Sequence, residues 1–152
     1  MSISSHGADL RKGRYSETGR IYWLTSVVHE RRPLFNDWRM GRLLVDEFRK
    51  AQQEGQARSL AWVVMPDHFH WLVELQSGNL GLLMRRVKSG SSRAVMATGS
   101  VQWRVWQKGY HDRAVRREED LRHIARYIVA NPLRAGLVRK VGDYPLWDAI
   151  WL

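Results

Sequence analysis

The chain has 152 residues and 17.8 kDa, a length for one domain, and at 44% apolar it can bury a core. It has no cysteine, which excludes disulfide scaffolds, thiolate metal sites and cysteine nucleophiles, and no apolar run long enough for a membrane span. Twenty-five Lys and Arg against 15 Asp and Glu give a formal charge of +10, most of it after Gln76. A polyanion partner is therefore expected, nucleic acid ahead of an anionic membrane surface.

In chain order, residues 1–19 form a polar arm without the apolar stretch of a secretory signal, so the expected location is the cytoplasm, at the nucleoid. Arg11, Lys12 and Arg14 in that arm are set to reach backbone phosphates. Residues 20–152 read as a single domain. Arg20–Val28, rich in β-branched and aromatic residues, predicts a strand. Asp37–Glu54 predicts a helix: Met40, Leu43, Leu44, Phe48 and Ala51 recur at helical spacing, Asn36 or Asp37 can cap it, and Gly55 follows its end. Two apolar runs, Leu60–Met65 and His68–Leu75, separated by Pro66-Asp67, predict a β-hairpin. Leu80–Met96 predicts a basic helix with Leu82, Leu83, Val87 and Met96 on its apolar side. The stretch from Gly99 to Val115 predicts a short strand or two around Gly109, and Glu118–Ala130 a third helix ended by Asn131-Pro132. The order β-α-β-β-α-β-α predicts an α+β fold, a ferredoxin-like antiparallel sheet with packed helices.

Within the hairpin, His68 and His70 project to one side of a strand and Phe69 to the other. Two imidazoles at that spacing can reach one divalent ion, although the pattern also suits two partly exposed histidines beside a turn. On the third helix, Leu121, Ile124, Ala125 and Ile128 gather on one face, while His123, Tyr127 and Asn131 make a stripe along a flank. An Asn oxygen at the helix end can serve as a third ligand. Tyr127 would then place a phenol beside that metal site. His123, one turn before Tyr127, is a candidate base as well as an ordinary solvated flank residue.

The stretches WVVMPDHFHWLVEL (62–75), VWQKGYHDRAVR (105–116) and EEDLRHIARYIVANPLRAGLV (118–138), with GRYSETGRIYWLT (13–25), resemble the REP-associated tyrosine transposases. These are single-tyrosine relatives of insertion-sequence transposases in the HUH endonuclease superfamily. The resemblance implies the HUH endonuclease fold, His68 and His70 as metal ligands completed by Asn131, and Tyr127 as nucleophile. It implies a Mg²⁺ or Mn²⁺ cofactor, a 5′-phosphotyrosine intermediate, and a single-stranded DNA substrate whose repetitive extragenic palindrome folds into a hairpin. Arg85, Arg86, Lys88, Arg93, Arg104, Lys108 and Arg113 are expected to contact its backbone, and Trp103, Trp106 and Tyr110 to stack on unpaired bases. Mobile relatives form dimers that exchange tyrosine helices. With no evident exposed apolar strand or extra dimerisation helix, a monomer is favoured here, in a domesticated chromosomal role.

Two other classes fit parts of the pattern. A non-catalytic hairpin DNA- or RNA-binding protein would use the basic half and the aromatics but not Tyr127. A metal-dependent hydrolase would use the histidine pair with water; the histidine-triad kind wants a further His at the position of Leu72.

Overall fold

The computed structural model describes residues 16–116 and 119–151. Strand β1 (Ile21–Val27) leads through two short 3₁₀ turns to helix α1 (Trp38–Gln53). Then come β2 (Ala57–Met65), β3 (His68–Leu75), α2 (Leu80–Ala97), β4 (His111–Ala114), α3 (Leu121–Val129), the single-turn α4 (Asn131–Arg134) and β5 (Trp147–Ala149). The sheet order is β4-β1-β3-β2-β5, with every neighbouring pair antiparallel. The first four strands and two helices are the ferredoxin-like arrangement expected from the sequence. Strand β5, three residues long and too short for a periodicity signal, extends the sheet beyond β2 and was not expected.

Local chemistry sets the element ends. Asp37 caps α1 through Arg39 N–H, Asn79 caps α2 through Leu82 N–H, and Asp120 accepts from both Arg122 and His123 N–H at the start of α3. Pro132, lacking an N–H, sits in the first turn of α4, so the chain stops one helix at Ala130 and restarts at once.

Side-chain alternation gives the sheet two different faces. One carries Leu24, Trp62, Val64, Phe69 and Trp71 and is roofed by α1: Phe48 stacks on Trp71 with ring centroids 4.5 Å apart and meets Phe69 edge-on at 5.2 Å. Helix α2 packs beside α1 so closely that a Cβ at Gly90 would collide with the buried Glu47 carboxylate. The buried apolar side chains of α2 are Leu80, Leu83, Met84, Val87 and Val95. Leu82 and Met96, expected on that side, are exposed, because the 80–83–87 spacing sets a phase that turns both away. The opposite face carries His68, His70, Leu72, Trp23 and Thr25, and α3 covers part of it, packing against β2, β3 and β5 with Ile124, Ala125, Ile128 and Val129 buried. Among the described residues no helix is long and apolar enough to cross a membrane.

Candidate active site

The register places three strands side by side at the site: Thr25 on β1 lies opposite His70 on β3 and opposite His111 on β4. Trp23 lies opposite Leu72 and Arg113. The His68 and His70 rings meet edge-on with centroids 4.9 Å apart, and the hairpin turn at Pro66-Asp67 fixes their strand position.

Each imidazole has its Nδ1 engaged. His68 Nδ1 donates to the Asp67 carboxylate at 2.7 Å, and Arg31 donates to the other Asp67 oxygen at 3.0 Å. Burial alone would raise the Asp67 carboxyl; the bonds from His68 and Arg31 outweigh it and hold it below its ordinary value. Arg31 reaches Asp67 from a turn in which both Glu30 and Arg31 adopt left-handed backbone angles (φ 57° and 51°), a conformation side chains other than glycine's take at a cost of about 1–3 kcal/mol. His70 Nδ1 lies 2.8 Å from the Thr25 hydroxyl and 3.1 Å from the Trp23 indole N–H. The indole can only donate, whereas the hydroxyl can accept. With Nδ1–H donated to Thr25, Nε2 keeps a lone pair for a metal; with Nδ1 accepting from Trp23, it does not. Burial, with His68 and Arg134 adding, pushes His70 down to about 3, which keeps it neutral, the form a metal ligand needs.

Trp23 also joins the histidines to the tyrosine. Its ring meets His70 at 5.7 Å and Tyr127 at 5.8 Å, both edge-on. Tyr127 is 50% exposed, and the Arg134 guanidinium lies 3.7 Å over its ring. Asn131 begins α4, and its side-chain Nδ2 is buried without a hydrogen-bond partner. A buried amide left unpaired costs roughly 1–3 kcal/mol, and an open N–H₂ calls for an acceptor rather than a cation. Among the described residues no three of His, Asp and Glu gather to hold a metal. Of the Asn131 amide, Oδ1 is the atom able to ligate a cation. His123 is exposed, and its backbone N–H is spent on the Asp120 cap.

The expected DNA contacts divide sharply. Trp106 is 5% exposed, packs on Phe35 and Phe69, and donates its N–H to Ser91; Tyr110 is 9% exposed. Both are core residues and not the base-stacking ones expected: in 105–110 Val105, Trp106 and Tyr110 turn inward while Gln107 and Lys108 stay at the surface. Lys88 is likewise turned inward. Its ammonium donates to Gln107 O at 2.9 Å and Gly109 O at 2.6 Å, and burial, with Arg104 adding, pushes it down to about 8. Arg86 is bound to Glu54 and Gln56, which occupies its fork between helix and hairpin. Arg113 is paired with Glu119 at 3.1 Å and lies over the Trp23 ring. Trp103, partly buried, carries the Arg32 guanidinium on its ring. Arg104 and Lys108 are exposed, with Arg104 Nε donating to Trp106 O. Exposed Arg85 and Arg93 line a groove of about 610 Å³ with Lys50, between α1 and α2. Arg11, Lys12 and Arg14 lie outside the described residues.

Trp23, Thr25, His111 and Arg134 were not singled out from the sequence. Strand alternation puts Trp23 and Thr25 on one face of β1, but only the cross-strand register shows what that face meets.

The model of the family described as transposase IS200 like matches residues 18–131, spanning both histidines, the tyrosine and Asn131. The chain belongs to this transposase family. It is 28% identical over 136 residues to the REP-associated tyrosine transposase of Escherichia coli strain K12, covering 87% of this chain and 78% of that one. It is also similar to the solved structure of a REP-associated tyrosine transposase bound to a REP hairpin, with a TM-score of 0.73 and 26% identity over 97% of this chain and 82% of the other. The resemblance read from the sequence and the α+β fold both stand.

Proposed function

We propose that this family member nicks and rejoins single-stranded DNA next to a hairpin, with Tyr127 as nucleophile and His68, His70 and Asn131 as holders of a Mg²⁺ or Mn²⁺ ion. The observation that carries this reading is Trp23, whose one ring touches both the tyrosine and a histidine of the pair. A phenol and a metal-type histidine pair thus share one surface, which neither a simple binding module nor a water-using hydrolase requires. The binding partner proposed is a palindromic repeat hairpin, as in the solved relative.

In the proposed step, the Tyr127 oxygen attacks the scissile phosphorus and forms a P–O bond. The bond from phosphorus to the 3′-oxygen breaks, that oxygen takes up a proton, and the phenol proton passes to water at the half-exposed ring. The product is a 5′-phosphotyrosine and a free 3′-hydroxyl, and the reverse attack by a 3′-hydroxyl rejoins strands. A divalent ion bound at this site supplies charge neutralisation at the phosphate oxygens, worth several kcal/mol. The chain's own contribution is positional: Asp67 and Thr25 orient the two imidazoles, Trp23 sets the tyrosine ring beside them, and Arg134 lies over the face of that ring.

The test is covalent trapping. Labelled hairpin oligonucleotides carrying a single-stranded flank are incubated with Mn²⁺ or with chelator and then denatured. The expected result is a metal-dependent protein–DNA adduct that vanishes in Tyr127→Phe. DNA bound by both proteins with no adduct in either would replace this reading with the non-catalytic binding protein.

A further inference from the structure

Beside the histidine pair lies a cleft of about 250 Å³ lined by Trp23, Thr25, His70, His111 and Arg113. We propose that it receives one unpaired base of the DNA strand, that of the nucleotide adjoining the scissile phosphate. This rests on the nuclease reading above and adds a site to it.

Three observations favour a base over a phosphate. The walls are largely rings: the indole of Trp23 and the imidazoles of His70 and His111, which the strand register sets across Thr25 from each other. The one cation, Arg113, already has its charge met by both oxygens of Glu119, at 3.1 Å each. What remains to it is a flat guanidinium over the Trp23 face, 5.5 Å from the ring centre, a surface suited to stacking and a poor phosphate clamp. The Thr25 hydroxyl is already bonded to His70, so the cleft has few groups to read base edges. It stacks whichever base is there, as sequence-tolerant single-strand sites do. His70 belongs both to the cleft and to the metal-type pair, and Trp23 both to the cleft wall and to the tyrosine's surroundings. An occupant is therefore next to the reacting phosphate. Seating its base would pull that nucleotide out of any stack and fix the phosphate against Tyr127, which is positioning of the kind that raises a rate without touching the chemistry.

The experiment uses Tyr127→Phe protein, which binds without cutting, and hairpin oligonucleotides with 2-aminopurine placed in turn at each position flanking the cleavage site. Stacking should quench the probe at one position next to the scissile phosphate. Adding His111→Ala should relieve that quenching and weaken binding of the flanked hairpin by about five- to a hundredfold while a hairpin without the flank binds as before, and His111→Phe, which restores a ring, should restore both. With Tyr127 intact, an abasic nucleotide at the same position should lower adduct formation by about ten- to a hundredfold, the range expected for one lost stacked base. Equal quenching in the Ala and Phe variants, or an abasic oligonucleotide cut as well as its parent, overturns the cleft while leaving the nuclease standing. Failure of every oligonucleotide to give an adduct overturns both.

Discussion

The two faces of one sheet are built from the same strands and do opposite things. On β3, Phe69 and Trp71 point into an aromatic stack with Phe48 that is sealed from water, while His68 and His70 point to a face that α3 covers only in part. The sealed face is built on ring packing among Phe48, Phe69 and Trp71. The open face has three polar contacts on two imidazoles and a tyrosine that is half exposed. One face holds the strands in register, and the other uses that register to bring together groups from three strands and a helix. Stability and chemistry are thus separable here to a degree that mutation can measure.

The sharpest way to break the comparison is to change each face once. Tyr127→Phe should reduce adduct formation to background while leaving unfolding stability within about 0.5 kcal/mol, as for exposed positions generally. Phe48→Ala should do the reverse, costing about 3–5 kcal/mol in denaturant unfolding with adduct yield per folded molecule unchanged. A strong activity loss in Phe48→Ala at temperatures where it is fully folded would show that the faces are coupled.

Acid should act on the open face. His70 titrates near its ordinary value of about 6.5 when unfolded and at about 3 when folded. Between those values the unfolded chain binds more protons, so in chelator stability should rise with pH from 3 to 6.5, by a few kcal/mol at most, and level off above. Urea unfolding at pH 4 and pH 7 checks this, with His70→Leu expected to flatten the slope. A smaller effect follows from Thr25→Val. Without the hydroxyl acceptor, the Trp23 N–H holds His70 in the tautomer with no lone pair on Nε2, and Mn²⁺ affinity by calorimetry should fall about 10–100-fold. Smallest of all, Arg93→Ala, on the far layer, should weaken hairpin binding uniformly across sequences and lower its salt slope by about one. An unchanged slope would remove the α1–α2 groove from the DNA interface.

The ferredoxin-like core was legible because its elements are long and periodic: α1, α2 and the hairpin came out within a few residues of their observed ends. The histidines were legible because strand alternation is a local rule. What escaped were facts of register and depth. Nothing local says that Trp23 bridges His70 and Tyr127, or that His111 faces Thr25, since both follow from which strands neighbour β1. Trp106, Tyr110 and Lys88 were misplaced for a related reason. An aromatic and basic composition describes a nucleic-acid surface and a snug loop equally well, and only packing decides between them. Asn131 was legible as a helix-end residue, while the orphaned state of its amide was not.

The break at Asn131-Pro132 has a consequence for how activity is switched on in any one molecule. Tyr127, Asn131 and Arg134 all ride on residues 121–134, whereas His68, His70, Trp23 and Thr25 belong to the sheet. On the proposed mechanism the reactive centre would be two half-sites, held together by Ile124, Ala125, Ile128 and Val129 rather than by the reacting groups. On that mechanism the working fraction of a population would equal the docked fraction of the segment 121–134. A methyl group removed from beneath it would leave each docked molecule as fast as before, and fewer of them docked.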